Sequence, residues 1–135
     1  MNVLANAVSP TLDAQGLRQI ALTAGADDVG FVSIDDAALN DQRAEILAAF
    51  PFARSLMPFV VKMNRENIRS PARSLANTEF HHTGRECDGI AHAIVESLET
   101  LGRRAAYPPL AFPMEAERWP GKMWIIAHKP VAVAA

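Results

Sequence analysis

Thiol chemistry is almost missing from this sequence: Cys87 is the only cysteine among 135 residues. One cysteine builds no disulfide within the chain and cannot hold an iron–sulfur cluster, which takes several thiolates. A surplus of either charge is missing too. Thirteen Lys and Arg face fifteen Asp and Glu, and the net charge of -2 gives no electrostatic reason to bind nucleic acid or an anionic membrane. Nor is there an apolar run near the roughly 20 residues that cross a bilayer. The opening Met1–Val8 stretch carries no basic residue, so it does not read as a signal peptide. A cytoplasmic setting is the expectation. Glycine-rich phosphate loops, a Walker-type lysine and a G-x-S-x-G elbow are also absent, which leaves nucleotide binding and serine hydrolysis without their usual carriers.

What is present describes one globular domain over residues 1–135, with half of the residues hydrophobic. Ser9-Pro10 predicts a helix start, Leu17, Ile20, Ala21 and Ala24 follow at helical spacing, and Gly25 supplies the stop. Val29 to Ile34 predicts a buried strand, and Asp35 or Asp36 opens a helix carrying Leu39, Ile46, Leu47 and Phe50. Leu56 to Met63 is the strongest strand, with Pro58 marking an edge or bulge. Asn64 to Arg69 reads as a loop. From Ser70-Pro71 to Leu101 the pattern predicts one long helix, interrupted or kinked near Gly84 and closed by Gly102. Its apolar stripe is Ile90, Ile94, Val95, Leu98 and Leu101. Arg104 to Tyr107 predicts a short strand, and Pro130 begins a last helical turn over Val131 to Ala135. The expected fold class is α/β (α+β): a small mixed sheet packed with helices, one of them long, near 71–101.

Two regions could carry chemistry. On the long helix, His81, Arg85, Asp88 and His92 share one face. Two imidazoles and a carboxylate form a zinc-type donor set, and a metal-dependent hydrolase would follow from it. Arg85 among them repels a cation, so the reading preferred is a solvated face with Arg85 paired to Asp88, and no metal site. Cys87 reads as a small buried hydrophobe. The second region is Phe112 to Trp124, with two tryptophans, two methionines and a phenylalanine in a proline-broken stretch. Aromatic loops suit a flat cofactor or a partner surface. A loop folded over the core and a surface packed on a further domain are the other readings.

Several short motifs together resemble the N-terminal region of epoxyqueuosine reductases and the related reductive dehalogenases. They are Ala24-Gly25-Ala26-Asp27-Asp28-Val29-Gly30-Phe31, Phe50-Pro51-Phe52-Ala53-Arg54-Ser55, Gly84-Arg85-Glu86 and Pro130-Val131-Ala132-Val133-Ala134-Ala135. The Phe-Pro-x-Ala-Arg-Ser turn is the most distinctive. The resemblance implies an N-terminal cofactor- and substrate-binding domain of an iron–sulfur oxidoreductase, incomplete as a catalyst alone. It implies cobalamin and two tetranuclear clusters for the parent protein, with a C-terminal ferredoxin-like domain as partner beyond Ala135. The apolar end, Val131 to Ala135, fits a chain that continues, or one that pairs as a homodimer. Trp119, Trp124 and Arg85 are the expected cofactor contacts. Epoxyqueuosine reductases carry an aspartate before the last motif, whereas Ile126-Ala127-His128-Lys129-Pro130 has no carboxylate. His128 is the expected catalytic proton donor in its place, and the substrate is expected to differ. A stand-alone binding or regulatory module using the 112–124 loop is the alternative.

Overall fold

The computed structural model describes residues 12–110 and 126–135. Helix α1, Ala14–Ala24, begins where the Asp13 carboxylate accepts the Gly16 N–H at 2.8 Å, four residues later than the Ser9-Pro10 signal predicted. Ser9 and Pro10 lie outside the described residues. Gly25, at φ 116°, closes α1 by donating to the Leu22 carbonyl, while Ala26 donates to that of Ala21. That pair of bonds needs a left-handed residue, which glycine supplies without steric cost.

The predicted strand over 29–34 is divided into β1, Asp28–Val29, and β2, Val32–Ser33. The predicted strand over 56–63 is likewise divided into β3, Ser55–Leu56, and β4, Phe59–Val60. β1 pairs antiparallel with β4, and β2 with β3. The register is nonetheless one: Asp28 opposes Val60, Val29 opposes Phe59, Val32 opposes Leu56 and Ser33 opposes Ser55. Between the two ladders Gly30 donates to the Pro58 carbonyl at 2.9 Å. Proline has no N–H to return the bond, so a single two-stranded ribbon is broken in the middle. All strand pairing among the described residues is antiparallel, where a mixed sheet was expected.

Helical structure in the middle of the chain is more finely divided than its periodicity predicts. The helix expected from Asp36 to Phe50 is a 3₁₀ turn, Ala37–Leu39, followed by α2, Arg43–Ala49. Asp36 caps the turn by accepting the Ala38 N–H at 2.8 Å. The Arg43 guanidinium then donates to the carbonyls of Ile34 (2.7 Å) and Asp36 (2.6 Å) and to Asn40 Oδ1 (2.9 Å), holding the corner closed. The stretch from Asn64 to Arg69 contains a short helix, α3 (Arg65–Arg69), where a loop was expected; the Asn64 side chain accepts the Asn67 N–H. Ser70-Pro71 does not cap the long helix directly. Ser70 Oγ accepts the Ala72 N–H, and α4 runs over Arg73–Thr100. It passes through Gly84 without interruption, its contacts with α3 and α1 outweighing the propensity cost of that glycine. Gly102, at φ 74°, ends it with bonds from Gly102 N–H to Glu99 and from Arg103 N–H to Leu98. Arg104 to Tyr107 is irregular, not a strand. The last helix, α5, spans His128–Ala134, two residues earlier than the Pro130 start predicted, with Pro130 inside its first turn where no N–H is needed.

Two cores result. The first contains Ala21, Ala26, Val29, Ile90, Ile94 and Leu98, joined by Phe31, Met57, Phe59 and Val61. The second contains Val32, Ile34, Leu39, Ile46, Ile126 and Val131, joined by Leu56, Ala53 and Ala134. The architecture is α+β, and among the described residues no helix is long and apolar enough to cross a membrane.

Candidate functional site

The proton donor expected from the sequence sits at the first position of α5. Ile126, just before it, is buried in the second core, and Val131 anchors the helix one turn later. Between these anchors, Ala127 is gripped by one side chain. Gln42 Oε1 accepts the Ala127 N–H at 3.1 Å, and Gln42 Nε2 donates to the Ala127 carbonyl at 3.3 Å. His128 is exposed as a residue, but part of its ring is shielded. That desolvation pushes its pKa below the ordinary imidazole value, and a hydrogen bond to the Pro109 backbone opposes the shift. The lowered pKa favours the uncharged ring at neutral pH, and in that form the nitrogen facing Pro109 carries the proton.

Arg85 lies on α4, exposed, with no hydrogen-bond or ion-pair partner among the described residues. The pair with Asp88 expected from their spacing is not formed. Imidazoles on this helix engage other groups: His82 lies 3.9 Å from Glu86 and His92 3.7 Å from Glu96, each one turn on. His92 also meets the Tyr107 hydroxyl at 3.3 Å. No group of three His, Cys, Asp or Glu able to hold a metal occurs among the described residues. Cys87 is half-buried rather than buried, and desolvation, helped by Glu86, pushes its thiol up. An undissociated thiol is a poor ligand and a poor nucleophile. Trp119 and Trp124, with the rest of the 112–124 loop, lie outside the described residues.

Arg85 and His128 stand on different helices, α4 contributing to the first core and α5 to the second. The implied clusters do not fit this chain, because one poorly ionised cysteine cannot replace a set of thiolates.

Three arrangements escape sequence reading. Arg104 stacks over the Phe52 ring at 3.8 Å, and Phe52 meets Phe50 edge-on, so the Phe-Pro turn is tied to the segment that follows α4. An open groove between β4, α3 and α4 is lined by Lys62, Arg65, Glu79, His82 and Glu86. At its centre the Glu79 carboxylate accepts the Asn64 N–H at 2.8 Å and the Thr83 hydroxyl at 3.4 Å. The third is Gln42, 85 residues from the atoms it binds. Only the first had a signal in sequence, two aromatics around a proline.

No protein-family model, curated protein or solved structure matches this chain.

Proposed function

We propose that this chain is the N-terminal cofactor- and substrate-binding domain of a cytoplasmic iron–sulfur oxidoreductase resembling epoxyqueuosine reductase, acting on another substrate. The observation that carries the reading is spatial. Two of the four segments that bear the resemblance, far apart in sequence, meet in the second core, and a third touches the end of α5. Ala53 of the Phe-Pro turn and Val131 and Ala134 of the last motif belong to that one core. Gly30 of the first motif approaches Ala135 so closely that a Cβ added there would lie 2.5 Å from that of Ala135. The segments thus form one structural unit, as parts of a single inherited domain would.

Within it, His128 exchanges protons with the substrate. A neutral imidazole with one nitrogen engaged takes up a proton before it delivers one, a relay suited to pH near 7. Cobalamin, where present, would supply electron transfer to the substrate, and the clusters that feed it belong to a ferredoxin-like domain outside these residues.

Analysis of the full-length gene product for iron, acid-labile sulfide and cobalt tests this reading. Iron and sulfide in the proportion of two tetranuclear clusters are expected. A gene that ends with the Ala135 codon, or a full-length product free of iron and sulfide, overturns it.

A further inference from the structure

We infer that Gln42 is the positioning residue for His128, holding Ala127 so that the imidazole is presented from a fixed first turn of α5. This rests on the reading in which His128 exchanges protons. Two helices meet at this amide, and neither start is capped by its own side chain. Gln42 is the N-cap of α2 yet makes no capping bond there. Ala127 is the N-cap of α5 and has no polar side chain to offer. Helix starts leave backbone groups in need of partners, and a cap is normally met by the capping residue itself. Here the one carboxamide available is spent on the other helix.

Its geometry suits orientation more than mere attachment. By accepting from the Ala127 N–H at 3.1 Å, Gln42 fixes the peptide plane before Ala127. By donating to the Ala127 carbonyl at 3.3 Å, it fixes the plane after it, which carries the His128 nitrogen. With both planes held, and with Val131 buried below, the imidazole has a defined path to the Pro109 carbonyl. The group that selects the tautomer is the Pro109 carbonyl facing the ring, and Gln42 acts one step behind it, by holding the backbone from which the ring reaches that carbonyl. Arg43, the nearest cation in sequence to Gln42, is engaged by Ile34, Asp36 and Asn40.

The test is long-range proton–nitrogen NMR of the histidine rings in the full chain. The native protein is expected to give His128 a single-tautomer pattern. In Gln42→Ala that pattern is lost to an average of both tautomers, while His82 and His92 keep theirs. If Gln42→Ala does not fold, Gln42→Asn, one methylene too short to span both Ala127 atoms, carries the same expectation. A folded variant in which His128 keeps its single tautomer overturns the assignment. So does an equal change at all four histidines, which marks a general loosening. Metal analysis decides the redox reading separately, so either idea can fail without the other.

Discussion

Gly30 is where one methyl group should decide how the chain closes on itself. Its N–H holds the ribbon to Pro58, and its missing side chain leaves room for the end of α5. In Gly30→Ala the new Cβ would stand 2.5 Å from the Ala135 Cβ, with the Ala135 Cα at 3.5 Å and carbonyl carbon at 3.6 Å. Carbon atoms prefer about 3.5–4.0 Å, so one side must retreat by roughly 1 Å. Overpacking of this kind costs about 1–3 kcal/mol. Gly30 has no positive φ, so alanine adopts its backbone without strain and recovers about 0.4–1 kcal/mol through the unfolded state. A net loss of roughly 1–2 kcal/mol is expected by urea unfolding. The decisive comparison is Gly30→Ala with Ala135→Gly. Removing the Ala135 Cβ leaves only ordinary contacts at 3.5 and 3.6 Å, so the double variant should regain native stability or exceed it. If Gly30→Ala alone is as stable as the native chain, or the second change restores nothing, the packing of α5 against the ribbon is wrongly understood.

Three further perturbations address other joints. Gly25→Ala forces a side chain into a left-handed position at φ 116°, 3.4 Å from Ile90, and should cost about 1–2 kcal/mol in the same urea assay; no loss would remove the argument from the α1 stop. Arg43→Lys keeps the charge but replaces a fork with a point donor that cannot reach Ile34, Asp36 and Asn40 together, so a loss of about 1–3 kcal/mol is expected, and equal stability would show the fork to be dispensable. The third concerns pH. The folded chain holds the His128 pKa below its ordinary value. This ring's contribution to stability is therefore complete above the ordinary imidazole pKa and falls away as pH drops through the lowered folded value. His128→Gln should flatten the decline in unfolding free energy between about pH 7 and 5, and an unchanged slope would contradict the assigned direction.

The long-helix stripe and both glycine stops were legible in the sequence because they depend on local geometry. Ile90, Ile94 and Leu98 repeat at a spacing that fixes one face, and Gly25 and Gly102 occupy positions where a left-handed residue is required. Pro58 marked an irregularity in its strand, an edge or bulge, for an equally local reason, its missing N–H; the structure shows a break between two ladders there. The errors have a common cause in competing side-chain bonds. Asp36, Asn40 and Arg43 convert a helical pattern into a 3₁₀ turn and a corner, and Asn64 draws a polar stretch into a short helix. The site is less legible than the fold. His128 is singled out only by the resemblance, as the proposed replacement for a carboxylate before Pro130, whereas Gln42 looks like any glutamine at a helix start. Its partner is a backbone 85 residues away, and no residue type at either end encodes that meeting.

The ribbon also explains why both of its halves, 28–34 and 55–61, are so continuously apolar. Residues of odd number, Val29, Phe31, Met57, Phe59 and Val61, belong to the first core, whereas Val32, Ile34 and Leu56, of even number, belong to the second. Side chains alternate between faces along a strand, so the two cores lie on opposite faces of one ribbon. Each covers a different half of its length. Where the first core ends, Ser33 and Ser55 occupy the face it no longer covers, and where the second is absent, Asp28 and Lys62 are exposed. Val60 is the exception, an apolar residue left exposed on that same face. A slip of one residue in register would exchange the two sets of side chains between α1 and α4 on one face and α2 and α5 on the other. The constant register across the break at Pro58 is thus enforced by both cores together. It also sets where α5 can dock, because Val131 has a place only beside Val32 and Ile34. The position of His128 follows from a pairing choice made in strands that it does not touch in sequence.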